Sequence, residues 1–212
     1  MNSLTSVTLE VDDLDAASRF YAAAFSLGPQ VRLRASTAPT SGFRGFTMSI
    51  TVPQPADVDS FLDSALQAGA TQLKPAEKSL WGYGGVVQAP DGTVWQLATS
   101  TKKGSGAATR TIESLVLLLG VEDVKASKQF YTEQGLKVGK SFGGKYAEFT
   151  SQDTDAVSLA LYKRRGLAKV AGVDAEGSGA HRVILHGHSG EFTDPDGFAW
   201  TTSPVPAPET PS

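Results

Sequence analysis

The chain has 212 residues, 40% of them hydrophobic and 19% charged, with a net charge of -3 and no cysteine. This balance can build a buried core and gives no electrostatic reason to expect nucleic acid or an anionic membrane as a partner. The missing cysteines exclude disulfides, thiolate metal ligands and a cysteine nucleophile together, and they fit a cytoplasmic protein.

The opening MNSLTSVTLEVDD has no basic stretch leading into an apolar run, so no signal peptide is expected; the apolar run at 115–119 is far too short to span a bilayer. Residues 6–11 (SVTLEV) alternate, with Val7, Leu9 and Val11 facing one way and Ser6, Thr8 and Glu10 the other. Asp13 suits an N-cap, and Leu14, Ala17, Tyr21 and Ala24 recur at helical spacing with Phe20 beside them. A strand therefore feeds straight into an amphipathic helix. Strands are predicted over 31–35 and 43–52, with a loop over 37–42 between them. A second amphipathic helix is predicted over 56–68, with Val58, Phe61, Leu62, Ala65 and Leu66 on one face and Gly69 behind its end. Residues 78–85 (KSLWGYGG) read as a strand that puts Trp81 and Tyr83 on one face, ahead of a Pro90-Asp91-Gly92 turn and Trp95.

These landmarks recur. Val11-Asp12-Asp13-Leu14 matches Val121-Glu122-Asp123-Val124 at a shift of 110, and Phe20-Tyr21 matches Phe130-Tyr131. Pro90-Asp91-Gly92 and Trp95 match Pro195-Asp196-Gly197 and Trp200 at a shift of 105. Two landmarks in the same order at nearly the same separation indicate a tandem duplication. Residues 1–100 form the first expected domain, 101–110 (TKKGSGAATR) a linker, 111–204 the second domain and 205–212 a proline-rich, disordered tail. The halves differ in the middle: strands are predicted over 145–149, 157–162 and 182–186 in the second, and no helix follows the last of them.

A strand, an Asp-capped helix ending in Phe-Tyr, further strands and a Pro-Asp-Gly turn before an aromatic, all present twice, resemble the vicinal oxygen chelate superfamily. Glyoxalase I, extradiol dioxygenases and bleomycin-resistance proteins belong to it. The resemblance implies an α+β protein of two tandem glyoxalase-like domains built from βαβββ modules, each half here partly degenerate. Modules of this kind curl into a half-open barrel around a ligand, and catalytic members hold a divalent metal with His or Glu. The expected first-strand ligand position falls on Ser6 and Val116, and the position after the final aromatic falls on Gln96 and Thr201. The middle-strand position falls near Thr47 or Ser49 and near His181. Neutral Gln and Thr oxygens replace carboxylate poorly and Val offers no donor, so no metal or other cofactor is expected.

The remaining candidates carry paired readings. His181, His186 and His188 are all the histidines of the chain, and His186 and His188 are spaced to share a strand face. They form either a metal group or an exposed polar loop, and Gly187 and Gly190 favour the loop. Trp81 and Tyr83 are either pocket aromatics or surface aromatics on a glycine-bulged edge strand. Phe43, Met48, Thr8, Gln96, Tyr146 and Tyr162 complete the candidate lining, while Trp95 and Trp200 should turn away from the cavity and pack on Phe20 and Phe130. Glu10 and Glu148 are strand carboxylates that, with Tyr83, are candidates for moving a proton. The basic run Lys163-Arg164-Arg165 reads as a solvated face, with a site for an anionic ligand as the alternative.

The expected function is metal-free binding of a small aromatic or hydrophobic metabolite or antibiotic. The alternative is an enzyme of the same superfamily, a lyase, isomerase or dioxygenase, using either the histidines or Glu/Tyr proton transfer. A third reading is a degenerate domain retained for protein contacts, its cavity closed by side chains. The expected partner is a small organic ligand, and the protein is either a monomer with intramolecular domain pairing or a homodimer.

Overall fold

The computed structural model describes residues 3–80, 82–104, 106–151 and 156–202. Strand β1 (Leu4–Val11) runs into α1 (Leu14–Ala24), whose N-cap Asp13 accepts from the Ala16 N–H at 2.9 Å. β2 (Val31–Ala35) and β3 (Thr40–Gly42) follow, β3 lying inside the segment predicted as a loop. Next come β4 (Phe46–Thr51), α2 (Pro55–Gln67), β5 (Thr71–Ser79), β6 (Gly82–Gln88) and β7 (Val94–Thr99). The second half supplies β8 (Ser114–Val121), α3 (Val124–Glu133), β9 (Val138–Phe142), β10 (Tyr146–Phe149) and β11 (Val157–Lys163). Helix α4 (Arg164–Ala171) then precedes β12 (Gly177–Gly179), β13 (Val183–Gly187), β14 (Phe192–Thr193) and β15 (Ala199–Thr201).

The sequence halves and the sheets do not coincide. A large sheet has the order β5-β6-β7-β4-β8-β11-β10-β9, and a smaller one β14-β15-β13-β1-β2. In the large sheet β4-α2-β5-β6-β7 and β8-α3-β9-β10-β11 are two complete βαβββ modules, each with its first and fourth strands parallel, joined antiparallel through β4 and β8. The small sheet repeats that centre with β1 against β13, and each flank is shortened: β1 keeps α1 and the parallel β2, and β13 keeps β14 and β15 without a helix. Each sheet thus draws one module from each half of the duplication.

Both sheets share one core. Val7, Leu9 and Leu185 of the small sheet and Met48, Ile50, Leu117 and Leu159 of the large one belong to a single buried cluster. Met48, a candidate pocket residue, stands in register with Trp95 and Leu117 and is fully buried on this core side, so it lines no ligand site. Trp95 and Trp200 also turn to the core, but against Tyr21 and Phe25 (ring centroids 5.7 and 4.9 Å) and against Tyr131 and Phe192 (5.6 and 5.2 Å). Phe20 and Phe130, one helical step away from the tyrosines, point along a different side of their helices.

The two Trp hairpins are braced alike by different residues. Trp95 Nε1 donates to Tyr21 Oη, which donates to Asp91 at 2.8 Å; Trp200 Nε1 donates to Tyr131 Oη, which donates to Asp194 at 2.6 Å. Asp196, the sequence counterpart of Asp91, instead accepts from Ser127 Oγ and the Glu122 N–H. The first copy has Ala17 where the second has Ser127, and Ala89 where the second has Asp194. Both turns need glycine, since Gly92 and Gly197 take φ of 89° and 93°.

Candidate functional site

Outward from the shared core, the large sheet presents the other set of alternating side chains. Register aligns Val86, Gln96, Ser49, Val116 and Ser158 in one row, and Thr47, Leu118, Ala160 and Glu148 in the next. A groove of about 540 Å³ lies over this face, lined among others by Gly84, Val86, Gln96, Ala98, Tyr162 and Val170. Gln96 Nε2 donates to Thr47 Oγ1 at 2.8 Å, which fixes the amide at the groove floor. Gly84 leaves the floor bare beside Ala98, a surface a flat ring can approach closely.

Helix α4, absent from the sequence expectation, covers the rest of this face. Leu167 and Ala168 pack on Leu118, Ala160 and Phe43, and Ala171 packs on Val86 and Val94. The basic run at its start is not a solvated face throughout: Arg164 donates to the Phe43 and Ala175 carbonyls and lies 5.2 Å over the Phe43 ring. The helical spacing of Leu167, Val170 and Ala171 was its only sequence signal, and the glycines at 166 and 172 mask it. Phe43 is therefore buried under α4 and also borders a second pocket of about 300 Å³ with Arg44, Gln88, Val94 and Val173.

The aromatic candidates divide. Tyr162 lines the groove, and Tyr146 stands beside it at 4.9 Å between ring centroids, continued by the exposed Phe142 at 5.9 Å. Tyr146 Oη donates to Glu148 at 2.8 Å; burial first, then that bond, holds its hydroxyl far above the usual value. Burial and the nearby Glu148 raise Tyr162 too, so both rings keep their protons as donors. Tyr83 borders the groove as well. Its hydroxyl turns to α2 and donates to Asp59 at 2.7 Å, a bond that pushes it up to about 12. The predicted strand over 78–85 is in fact a hairpin: β5 ends at Ser79, paired with Gly82 at the start of β6. Trp81 lies outside the described residues.

Thr8, Glu10 and His186 sit on the small sheet, away from the groove. Thr8 and His186 are fully buried, with Thr8 Oγ1 2.7 Å from His186 Nε2, and Glu10 is ion-paired with Arg34, its parallel neighbour. A Glu10–Tyr83 proton-transfer pair is therefore ruled out by separation onto different sheets and faces. The histidines do not share a face either. His181 stacks on Phe198 at 3.9 Å with its ring nitrogens against the Arg44 and Asp196 carbonyls, while His188 is exposed beyond the end of β13. The exposed-loop reading fails as well for the buried His186. Pairing across 178 residues carries no local sequence signal, which is why it was missed.

Neither set fits a divalent metal. The row at the groove offers Gln96, Ser49 and Ser158, one amide and two hydroxyls, with Val116 between them and no carboxylate or imidazole. Among the described residues, no three His, Asp or Glu side chains gather as a metal site requires. No helix among them is long and apolar enough to cross a membrane.

This arrangement of paired βαβββ modules is the vicinal oxygen chelate fold in its tandem form. Glyoxalase I from Zea mays is similar over 94% of this chain and 91% of its own, with 17% identity and a TM-score of 0.61; its V278E variant gives 0.60 over the same shares. A glyoxalase/bleomycin resistance protein/dioxygenase family enzyme from Burkholderia phytofirmans PsJN aligns with 46% of this chain and 98% of its own, at 21% identity and a TM-score of 0.41. Neither a protein-family model nor a curated protein matches the sequence.

Proposed function

We propose that this protein binds a small, flat aromatic or hydrophobic molecule in the groove of the large sheet without a metal, in the manner of the bleomycin-resistance branch of its fold. The observation that carries the reading is the groove itself: Tyr83, Val86, Ala98, Tyr162 and Val170 around one oriented amide, Gln96, where catalytic members of the fold place a metal-binding carboxylate, with Lys74, Glu77, Ser79 and Thr99 also in the lining. Apolar burial against Tyr162, Val86 and Val170 supplies affinity, and Gln96 supplies the polar selection.

Titration with an anilinonaphthalene sulfonate dye, followed by competition with a panel of aromatic compounds, tests this. Ala98→Leu, which fills the floor, should weaken dye binding at least about tenfold, and Tyr162→Ala by several-fold. Unchanged affinity in both variants overturns the assignment. A second reading rests on the Tyr146–Glu148 bond, which places a carboxylate beside a protonated phenol next to the groove. It predicts turnover of a bound carbonyl compound that Glu148→Gln abolishes while binding survives.

A further inference from the structure

The groove and the second pocket are separated by little. Val86 lines the groove, Val94 lines the second pocket, and Ala171 of α4 packs against both in one small apolar cluster. Leu118 and Ala160 continue the same outer face beneath Leu167 and Ala168. Underneath α4, then, lie two apolar patches, Val86 with Val94 and Leu118 with Ala160, and the first of them joins the rims of the two pockets.

The helix over that floor is weak by construction. It has eight residues, well below the roughly 12–15 at which an isolated helix becomes even marginal. Lys163, Arg164 and Arg165 put three cations at its start, where the helix dipole is already positive, and Lys163 gives no side-chain cap. Gly166 sits inside it with nothing within 4 Å of where a Cβ would stand, so its presence answers no steric demand. Its buried face is one leucine and two alanines. The other ties lie at its ends: Arg164 on the Phe43 and Ala175 carbonyls and over the Phe43 ring, and Lys74 Nζ on the Lys169 carbonyl at 2.6 Å beside the left-handed Gly172.

We infer that α4 is a lid, and that the groove and the second pocket are the two ends of one chamber that it divides when seated and joins when lifted, admitting an elongated molecule whose apolar part lies in the groove and whose polar end meets Arg44 and Gln88 of the second pocket. The ligand class rests on the binding function proposed above; the opening of α4 does not, and is tested without any ligand.

Because the chain has no cysteine, a single introduced thiol reports on one place. Ala168→Cys lies under the lid at 1% exposure, and Ala147→Cys lies in the shared core at 0%. Under native conditions the thiol at 168 should react with an aromatic disulfide reagent at least about tenfold faster than the one at 147, through local rather than global opening. Adding Gly166→Ala should slow the reaction at 168 about fourfold and leave that at 147 unchanged. Equal rates, or a rate at 168 indifferent to Gly166→Ala, overturn the lid. Hydrogen exchange of the unmodified chain gives an independent reading: α4 amides should exchange well before those of β8, and exchange of both in one step overturns it equally. If labelling shows the lid while the dye ignores Ala98→Leu, the chamber opens but is not the binding site.

Discussion

The two sheets come from one duplicated template and have opposite outer faces. The large sheet keeps both modules whole, and its outer face is grooved and partly covered by α4. The small sheet has lost flanking strands and a helix, and its outer side chains satisfy one another: Thr8 with His186, Glu10 with Arg34. The second and third strands of a module are what wall a cavity. Where they remain, β5 and β6 enclose the groove; where they are missing, polar side chains on β1 and β13 pair across the strands, as burial demands.

The contrast can be pressed hardest at the braces. Asp194→Ala strands the Tyr131 hydroxyl and the Asp196 and Phe198 amides, and should cost about 3 kcal/mol in denaturant unfolding. Asp91→Ala, at a half-buried site where water can substitute, should cost about 1 kcal/mol. Equal losses would mean the short closing strand β15 leans on its brace no more than β7 does. His186→Ala should cost about 2 kcal/mol and leave dye binding unchanged, because the small sheet is not the binding face. A binding loss there would move the site.

The pH dependence of Asp194 sharpens the same point. Burial raises its pKa above the usual 3.8. A carboxyl raised in the folded state contributes stability that is present below the unfolded value and lost as pH rises through the folded one. The stability of the parent relative to Asp194→Asn should therefore fall as pH is raised from about 3 through the acid range, and a difference independent of pH would show the carboxyl is not titrating in place. Smallest of all, Glu10→Gln should cost under about 1 kcal/mol, since Arg34 is 40% exposed and its ion pair is screened; thermal unfolding of the two proteins side by side checks it.

Much of the fold was legible because its signals are local. Asp13 and Asp123 both cap the helices they were expected to cap, and α2 follows its apolar stripe. Of the candidate site, Tyr83, Gln96, Tyr146 and Tyr162 fall on or beside the groove. Met48 failed because a sequence pattern cannot tell which of two faces is the core, and the single strand expected over 78–85 failed because β5 ends at Ser79 and pairs back on β6.

By itself the sequence determined the strand-to-helix units and the two Trp hairpins, each read from spacing within a few residues, and their recurrence along the chain. Only the tertiary structure decided which module pairs with which, that Asp194 rather than Asp196 braces Tyr131, that His186 closes on Thr8, and that α4 lies across the outer face of the large sheet. Those outcomes turn on contacts between residues far apart in the chain, where the competition for burial and for hydrogen-bond partners is settled by packing rather than by periodicity.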